Sequence, residues 1–548
     1  MMRAQPPARA ALARHALIAL AAFTCIALHW GTLRGHFLSD DFGAIWNITE
    51  AWAHGTVPEF VLAAFTQGQG QPGGFYRPIG VVSWAINVAF AGGEPWGWRV
   101  FNLLLHLANG WLVLRLVRRL GGDQQHAAVA AAIAAVLFWL YPLAPEVSAW
   151  VVARYDGLAL AFLLIAIERH AASTRWFDRA CAASLVALLL ALGSKESAMT
   201  APAFLFLAGI ARANPDPRAF ARGVVSALRD IVPALVLLGA YLGWRALRFG
   251  SALSVYTGTS PLEHLAPLTL WRHLLAMAPV VEQPLAWLWP WIAIAIALAL
   301  VLGAARAWCA GAWLRLWAIP AAGFVIAVGA VLPYFAGVPA NGEGARVFYL
   351  AGAWLAVWIA LPFAAPARSV RVRSLEVGVL GVLVVLFAAG LGRSLVPWRQ
   401  AGDAMHALMM AVAAEAPRLR AQGAHALVIA PDHLRTVPFL RNAQGAPVAR
   451  TFQQEDLADA ITMFTDARYA QWAGRLVSGD ILWPHGMPLR FHCFDADAPA
   501  LVALAIDAPP EDAAAWEAAW RGAIARSACA DEFARSHTIT HPITDPPR

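Results

Sequence analysis

The chain has 548 residues, 59% hydrophobic and 14% charged, with 25 tryptophans and a formal net charge of +7. A mean hydropathy of +0.56 leaves too little polar surface to cover a soluble fold, which indicates a polytopic membrane protein. The first 400 residues carry 29 bases against 17 acids, and from residue 401 onward 17 acids face 12 arginines, a split that fits membrane orientation and argues against nucleic acid as a partner.

Arg3 and Arg9 precede, and Arg14 opens, a first apolar run at 12–34. It is too long for a signal-peptide core and no small-x-small cleavage site follows it, so it is expected to stay as an uncleaved helix. Further runs follow near 97–117, 127–143, 150–167, 180–194, 198–211, 227–247, 282–303, 313–333, 347–365 and 375–395, predicting about eleven spans. Every second connection is rich in arginine: 115, 118 and 119; 169, 175 and 179; 212, 218 and 222; 306; then 368, 371 and 373. This alternation predicts a cytoplasmic N-terminus. The arginine-rich, lysine-poor usage suggests a bacterial source, hence a multi-pass protein of the cytoplasmic (inner) membrane. The outward connections are then 35–96, 144–149, 195–197, 248–281, 334–346 and everything after about 396.

Ionisable groups at membrane depth are costly unless paired or wetted. Asp40, Asp41, Arg77, Glu146, Lys195, Glu196, Glu343 and Arg346 gather on the outward side, so a polar cavity is expected there. "FLSDDFG" opens the first outer loop. A helix should follow, with Phe42, Ile45, Trp46 and Trp52 near one face. Asp40 is then either its N-cap or a chemical group. Arg77 starts a second short helix, beside Tyr76. Arg99, Asn102, His106 and Asn109 form one stripe of the second span, as interhelical glue or as ligands. "LYPLAPEVSAWVVARYDG" carries Glu146, Arg154 and Asp156, the last two able to pair with each other. "LGSKESAM" holds Lys195, the sole lysine, beside Glu196. A compact ammonium suits a phosphate in a narrow space.

Beyond 396 the texture changes. "HALVIAP", "LRFHCF" and "ALVALAID" read as strands, and "EDAAAWEAAWRGAIARSAC" as an amphipathic helix. The expected organisation is a transmembrane domain at 1–396 and a small periplasmic α/β domain at 397–548. Cys493 and Cys529 alone lie in the latter, where helix-on-strand packing and an oxidising compartment would let them pair. Cys25, Cys181 and Cys309 lie in or beside apolar segments, and no zinc-like spacing is present.

The ordered series "SDDF", "YRP", "NLLLHLAN", "LYPLAPEVSAWVVARYD", "SKE" and "ARVFYLAG" resembles the membrane region of the GT-C glycosyltransferases. It is most similar to the transmembrane and tetratricopeptide-repeat O-mannosyltransferases and their bacterial relatives, over roughly residues 20–360. The resemblance implies a mainly α, GT-C-like helical membrane fold. It implies Asp40 or Asp41 as catalytic base, and Arg77, Lys195 and Arg346 at the donor phosphate. Tyr76, His106, Glu146, Arg154, Asp156 and Glu196 would support the cavity. Tyr141-Pro142-Leu143-Ala144 departs from the family's His-Pro-x-His, and the tail lacks the tetratricopeptide pattern.

The implied reaction moves a sugar from a polyprenyl-phosphate carrier to a hydroxyl on a lipid, glycan or protein, inverting the sugar carbon. It needs a base for the hydroxyl proton and cations for the departing phosphate. No cofactor is singled out, and a divalent cation on the two carboxylates stays open. The alternatives are a transporter or lipid flippase, whose charges should sit mid-membrane, and a scaffold presenting the tail.

Overall fold

The computed structural model describes residues 8–67, 75–174, 176–212, 217–252, 287–330, 344–441, 443, 457, 459–478, 488–506 and 512–540. Glu343, and most of the expected outer connections 248–281 and 334–346, lie outside the described residues. The chain is a helical membrane protein with a small C-terminal sheet region. Its helices begin with α1 (Ala8–Leu33), α2 (Asp41–Ala53), α3 (Val57–Thr66), α4 (Pro78–Ala91), α5 (Pro95–Gly121), α6 (Ala127–Trp139), α7 (Pro145–Ser148), α8 (Arg154–Ala172), α9 (Arg179–Leu192) and α10 (Ala201–Ile210). Further helices run over Val232–Phe249, Trp289–Cys309, Ile319–Gly329, Tyr349–Ala360 and Val370–Gln422.

As far as it is described, each apolar run therefore forms a helix. Among the described residues, however, six stretches are long and apolar enough to cross a membrane: Ala11–Leu33, Pro95–Gly121, Phe220–Phe249, Trp289–Cys309, Ala345–Ala364 and Val370–Gln422. The shortfall from eleven has a physical reason. Several runs form helices too short to cross by themselves: the runs at 180–194 and 198–211 give only α9 and α10, because residues 193–200 between them leave the α-helical path. Helices α6, α9 and α10 have only 13, 14 and 10 residues. They are nonetheless apolar, and α6 and α10 are mostly buried in the bundle.

The arginine-rich connections share one end of the bundle. Glu168 is held by Arg115, Arg169 and, more distantly, Arg119 at 2.9, 2.8 and 3.8 Å. Arg315 donates to Leu120 O at 2.9 Å, and the His126 N–H to Ala364 O at 3.0 Å. Arg306 pairs with Glu376 and also reaches Ala365 O. The unusual acids and cations of the sequence lie at the other end, with the sheet.

The last long helix does not stop near residue 396. It runs unbroken for 53 residues, over Pro397, to Gln422, so the expected boundary falls inside it. Gly423 closes it in the left-handed conformation that favours glycine. Then come β1 (His425–Ala430), β2 (His433–Leu434), β3 (Val437–Pro438), β4 (Ile461–Thr465), β5 (Leu489–Asp495) and β6 (Ala500–Ala503). The main sheet has the order β4-β1-β5-β6; β1 is parallel to β4 and β5, and β5 is antiparallel to β6. β2 and β3 form a small antiparallel hairpin. β1 is buried along its whole length, as a central strand covered on both faces must be. The expected amphipathic helix forms at Ala513–Ala525, capped by Asp512, which accepts from Ala515 N at 2.7 Å. Cys493 of β5 and Cys529 are joined in a disulfide, as the strand-and-helix packing predicts.

Candidate active site

The first outer loop is pinned before it reaches the two acids. Arg99, fully buried on α5, donates to Thr32 O at 2.6 Å and to His36 O. The His36 N–H donates to Gly402 O at 3.1 Å. A Cβ on Gly35 would lie 2.9 Å from Gly402 Cα, so two glycines allow this backbone contact. Burial, with Arg99 and His406 nearby, pushes the His36 imidazole down to about 3, so it is neutral here.

Asp40 and Asp41 then part company. Asp41 is fully buried. Its Oδ1 accepts from Val152 N at 2.9 Å and its Oδ2 from Leu38 N at 3.2 Å. Burial pushes its carboxyl up to about 7, opposed by the Val152 N–H, by Arg99 and by the Leu38 N–H. Both oxygens are thus committed to the backbone, which suits a clamp better than a metal ligand. Among the described residues no group of three or more His, Cys, Asp or Glu side chains could hold a metal ion. Asp40 is half-buried, at the N-cap position of α2, but its side chain makes no capping hydrogen bond. The buried face of α2 is Asp41, Phe42, Ile45 and Ile48, whereas Trp52 is exposed. By helical spacing Trp52 lies on the same face as Asp41 and Ile45, but near the C-terminal end of α2, where it is exposed.

The segment 144–156 is the hub of the site. Glu146 pairs with Arg346 and also accepts from the Arg346 N–H at 2.8 Å and the Gly344 N–H at 3.2 Å. Arg346 lies over the Trp150 ring, 5.1 Å from its centroid. The indole N–H of Trp150 donates to Leu38 O at 3.3 Å, beside the acidic loop. Asp156 accepts from Lys195 Nζ on both oxygens at 2.6 Å. Next to it, Arg77 donates to Glu196 at 2.9 Å and covers the Tyr155 ring at 5.1 Å. Tyr76 packs edge-on against Trp244 at 4.5 Å.

One pairing that the sequence allowed, Arg154 with Asp156, is absent from this arrangement. Asp156 engages Lys195, not Arg154, and Glu196 engages Arg77. Arg154 is fully buried and donates instead to Asn102 Oδ1, Asn87 Oδ1, Trp98 O and Ser83 O at 3.0, 2.8, 3.1 and 3.5 Å. The guanidinium plane matches neutral acceptors spread over α4 and α5, so it ties elements together.

The polar stripe of α5 acts as glue. Asn102 Nδ2 donates to Trp150 O at 2.8 Å, and Asn109 Nδ2 to Gly157 O at 2.9 Å. His106 joins Tyr349 Oη at 2.8 Å and Trp139 O at 3.2 Å. His106 therefore connects three helices. Sequence reasoning missed Ser39, which has φ of +50°, and the loop after β3 that packs on it. No short-range sequence signal marks either.

No protein-family model matches the chain. It is 30% identical over 200 residues to protein O-mannosyl-transferase Tmtc2 of Drosophila melanogaster, covering 33% of this chain and 21% of that protein. It is 31% identical over 145 residues to protein O-mannosyl-transferase TMTC2 of Mus musculus, covering 25% and 17%. The chain is similar in sequence to the protein O-mannosyl-transferases. That agrees with the resemblance read from its motifs, although no more than 21% of each of these relatives' length is covered. The apo crystal structure of ArnT from Cupriavidus metallidurans superposes with a TM-score of 0.41 at 13% identity, over 89% of this chain and 94% of that one.

Proposed function

We propose that the protein is a GT-C-type membrane glycosyltransferase. It moves a sugar from a polyprenyl-phosphate carrier to an acceptor hydroxyl on the periplasmic face of a bacterial inner membrane. The observation that carries this reading is the pairing of Lys195 with Asp156 beside Arg77 with Glu196, at the bundle end that also holds Asp40. The similarity to O-mannosyl-transferases supports it. Beyond the cytoplasm no nucleotide-sugar pool exists, so a lipid-borne donor fits a site at a membrane surface.

In this reading Asp40 takes the acceptor's proton as the hydroxyl oxygen attacks the anomeric carbon. The bond from that carbon to the phosphate oxygen breaks, with inversion. The electron pair leaves on the phosphate, stabilised by Arg77, Lys195 and Arg346. Their carboxylate partners hold these cations in place before the donor arrives, so little reorganisation is needed when charge develops. Asp41 is the fixed floor of the loop. The charges sit at helix ends, not midway along helices, which disfavours a transporter.

The test uses purified full-length protein, envelope lipid and protein extract as acceptor, and a panel of polyprenyl-phosphate sugars, mannose first because of the relatives' names. Asp40→Asn should lower transfer by ~10²–10⁴ with folding unchanged. An asparagine variant with wild-type turnover would remove Asp40 as base. Wild-type protein that transfers no sugar from any donor would remove the glycosyltransferase reading.

A further inference from the structure

The turn that presents Asp40 is held from the far end of the chain. Ser39 has φ of +50°, a region that a residue with a Cβ enters at a cost. It is fully buried, and its Oγ finds no hydrogen-bond partner among the described residues. Its N–H donates to Phe439 O at 2.7 Å. Around it, Asp41 N donates to Leu38 O at 3.0 Å and Phe42 N to Ser39 O at 3.2 Å. Asp40 is flanked by fixed backbone on both sides.

Phe439 follows the β2–β3 hairpin and is itself anchored in the sheet region. Its N–H donates to Asp432 O at 2.9 Å, and the Asp432 N–H to Asp466 Oδ1 at 2.8 Å. Its ring is fully buried and stacks on Phe494 of β5, with centroids 6.1 Å apart and planes 10° apart. At the hairpin tip, Arg435 donates to Gln400 on the long helix at 2.5 Å. The carbonyl that meets Ser39 is therefore fixed by the sheet and its hairpin.

We propose that the Phe439 segment is a positioning element for the transfer reaction: through its carbonyl the C-terminal sheet keeps Ser39 left-handed and thereby aims Asp40. The inference rests on Asp40 being the base. Without that bond Ser39 relaxes to negative φ, and the rotation swings the carboxylate away from the acceptor hydroxyl. A base acts only within hydrogen-bond reach, and ~1 Å of misplacement costs ~10²-fold. The donor-side cations lie on other elements and stay where they are.

In full-length protein, Phe439→Ala should lower kcat per folded molecule by ~10–100-fold, with the KM for polyprenyl-phosphate mannose, or whichever donor proves active, within about threefold. Amide exchange of residues 38–42 should speed up. Adding Ser39→Gly should recover several-fold of the lost kcat, because glycine adopts the left-handed turn without strain. A merely structural loss would reduce the folded fraction, leave kcat per folded molecule intact and show no rescue. If Phe439→Ala does not fold, Phe439→Leu keeps most of the apolar volume and should show a smaller kcat loss with the same rescue. Wild-type kcat in the folded Phe439 variant, or a loss without rescue, overturns the proposal. If Asp40→Asn is inactive while the Phe439 variant is fully active, this inference fails alone; if Asp40→Asn is fully active, the base assignment fails first.

Discussion

The Val152 N–H donates to Asp41 Oδ1 at 2.9 Å across 111 residues of sequence. This bond joins the first outer loop to the segment that carries Glu146, Arg154 and Asp156. It divides the two adjacent acids into a clamp and an accessible group. The repulsion expected between neighbouring carboxylates is eased because burial favours the protonated form of Asp41.

A pH dependence follows. Burial raises the Asp41 carboxyl from 3.8 to about 7, so the folded state binds a proton that the unfolded state has already lost. Stability should therefore fall as pH rises from about 4 to about 7, by up to about 1.4 kcal/mol per pH unit from this group, and level off above. Asp41→Asn carries no titratable proton and should remove that slope. Denaturation midpoints of both proteins across this range decide it; parallel curves would place the titration elsewhere.

Arg154 predicts a stability effect. Among the described residues it forms no ion pair with a carboxylate, and its donors reach two asparagine oxygens and two carbonyls. Lysine is a point donor and cannot span them. Arg154→Lys should destabilise by ~2–4 kcal/mol, since buried acceptors lose partners. The donor KM of the protein that remains folded should not change. A raised donor KM at unchanged stability would make Arg154 a ligand.

The disulfide gives a third. Cys493 and Cys529 close a loop with a sequence separation of 36. Cross-links of this span stabilise by ~2–4 kcal/mol. Dithiothreitol, or Cys493→Ser with Cys529→Ser, should lower the melting temperature of the C-terminal region. Intact mass showing two free thiols in untreated protein would contradict the bond.

The sequence was most legible where periodicity or composition acts locally. Apolar runs marked the helices, short runs of strand-like residues marked β1 and β5, and the stripe Arg99, Asn102, His106 and Asn109 marked the buried face of α5. Spacing could not choose partners for the charges. Asp156 lies two residues from Arg154 but pairs with Lys195, 39 residues on, because α8 starts at Arg154 and turns the two side chains to different sides. Ser39 was illegible because its left-handed turn is stabilised by Phe439, a contact over 400 residues. The continuation of the last long helix past 396 was hidden by Pro397, a residue that usually argues for a break.

Lys195 and Asp156 allow the donor site to be separated from simple scaffolding. Both side chains are nearly buried, 10% and 9% exposed, and lie 2.6 Å apart. Removing either leaves a charge without its partner, which costs ~3–5 kcal/mol in a buried pair, whereas removing both costs much less. Stability should therefore be strongly non-additive: Lys195→Met and Asp156→Leu each lower the denaturation midpoint, and the double variant recovers most of it. Activity should behave differently if Lys195 also meets the donor phosphate. The double variant would fold well yet lack the cation, so its donor KM should rise and its turnover fall by ~10-fold or more. Lys195→Arg keeps the charge but replaces a compact ammonium with a wider fork, so it should retain the fold and lose part of the turnover. A double variant with wild-type stability and wild-type donor kinetics would reduce the pair to a structural bridge, leaving Arg77 and Arg346 to meet the phosphate alone.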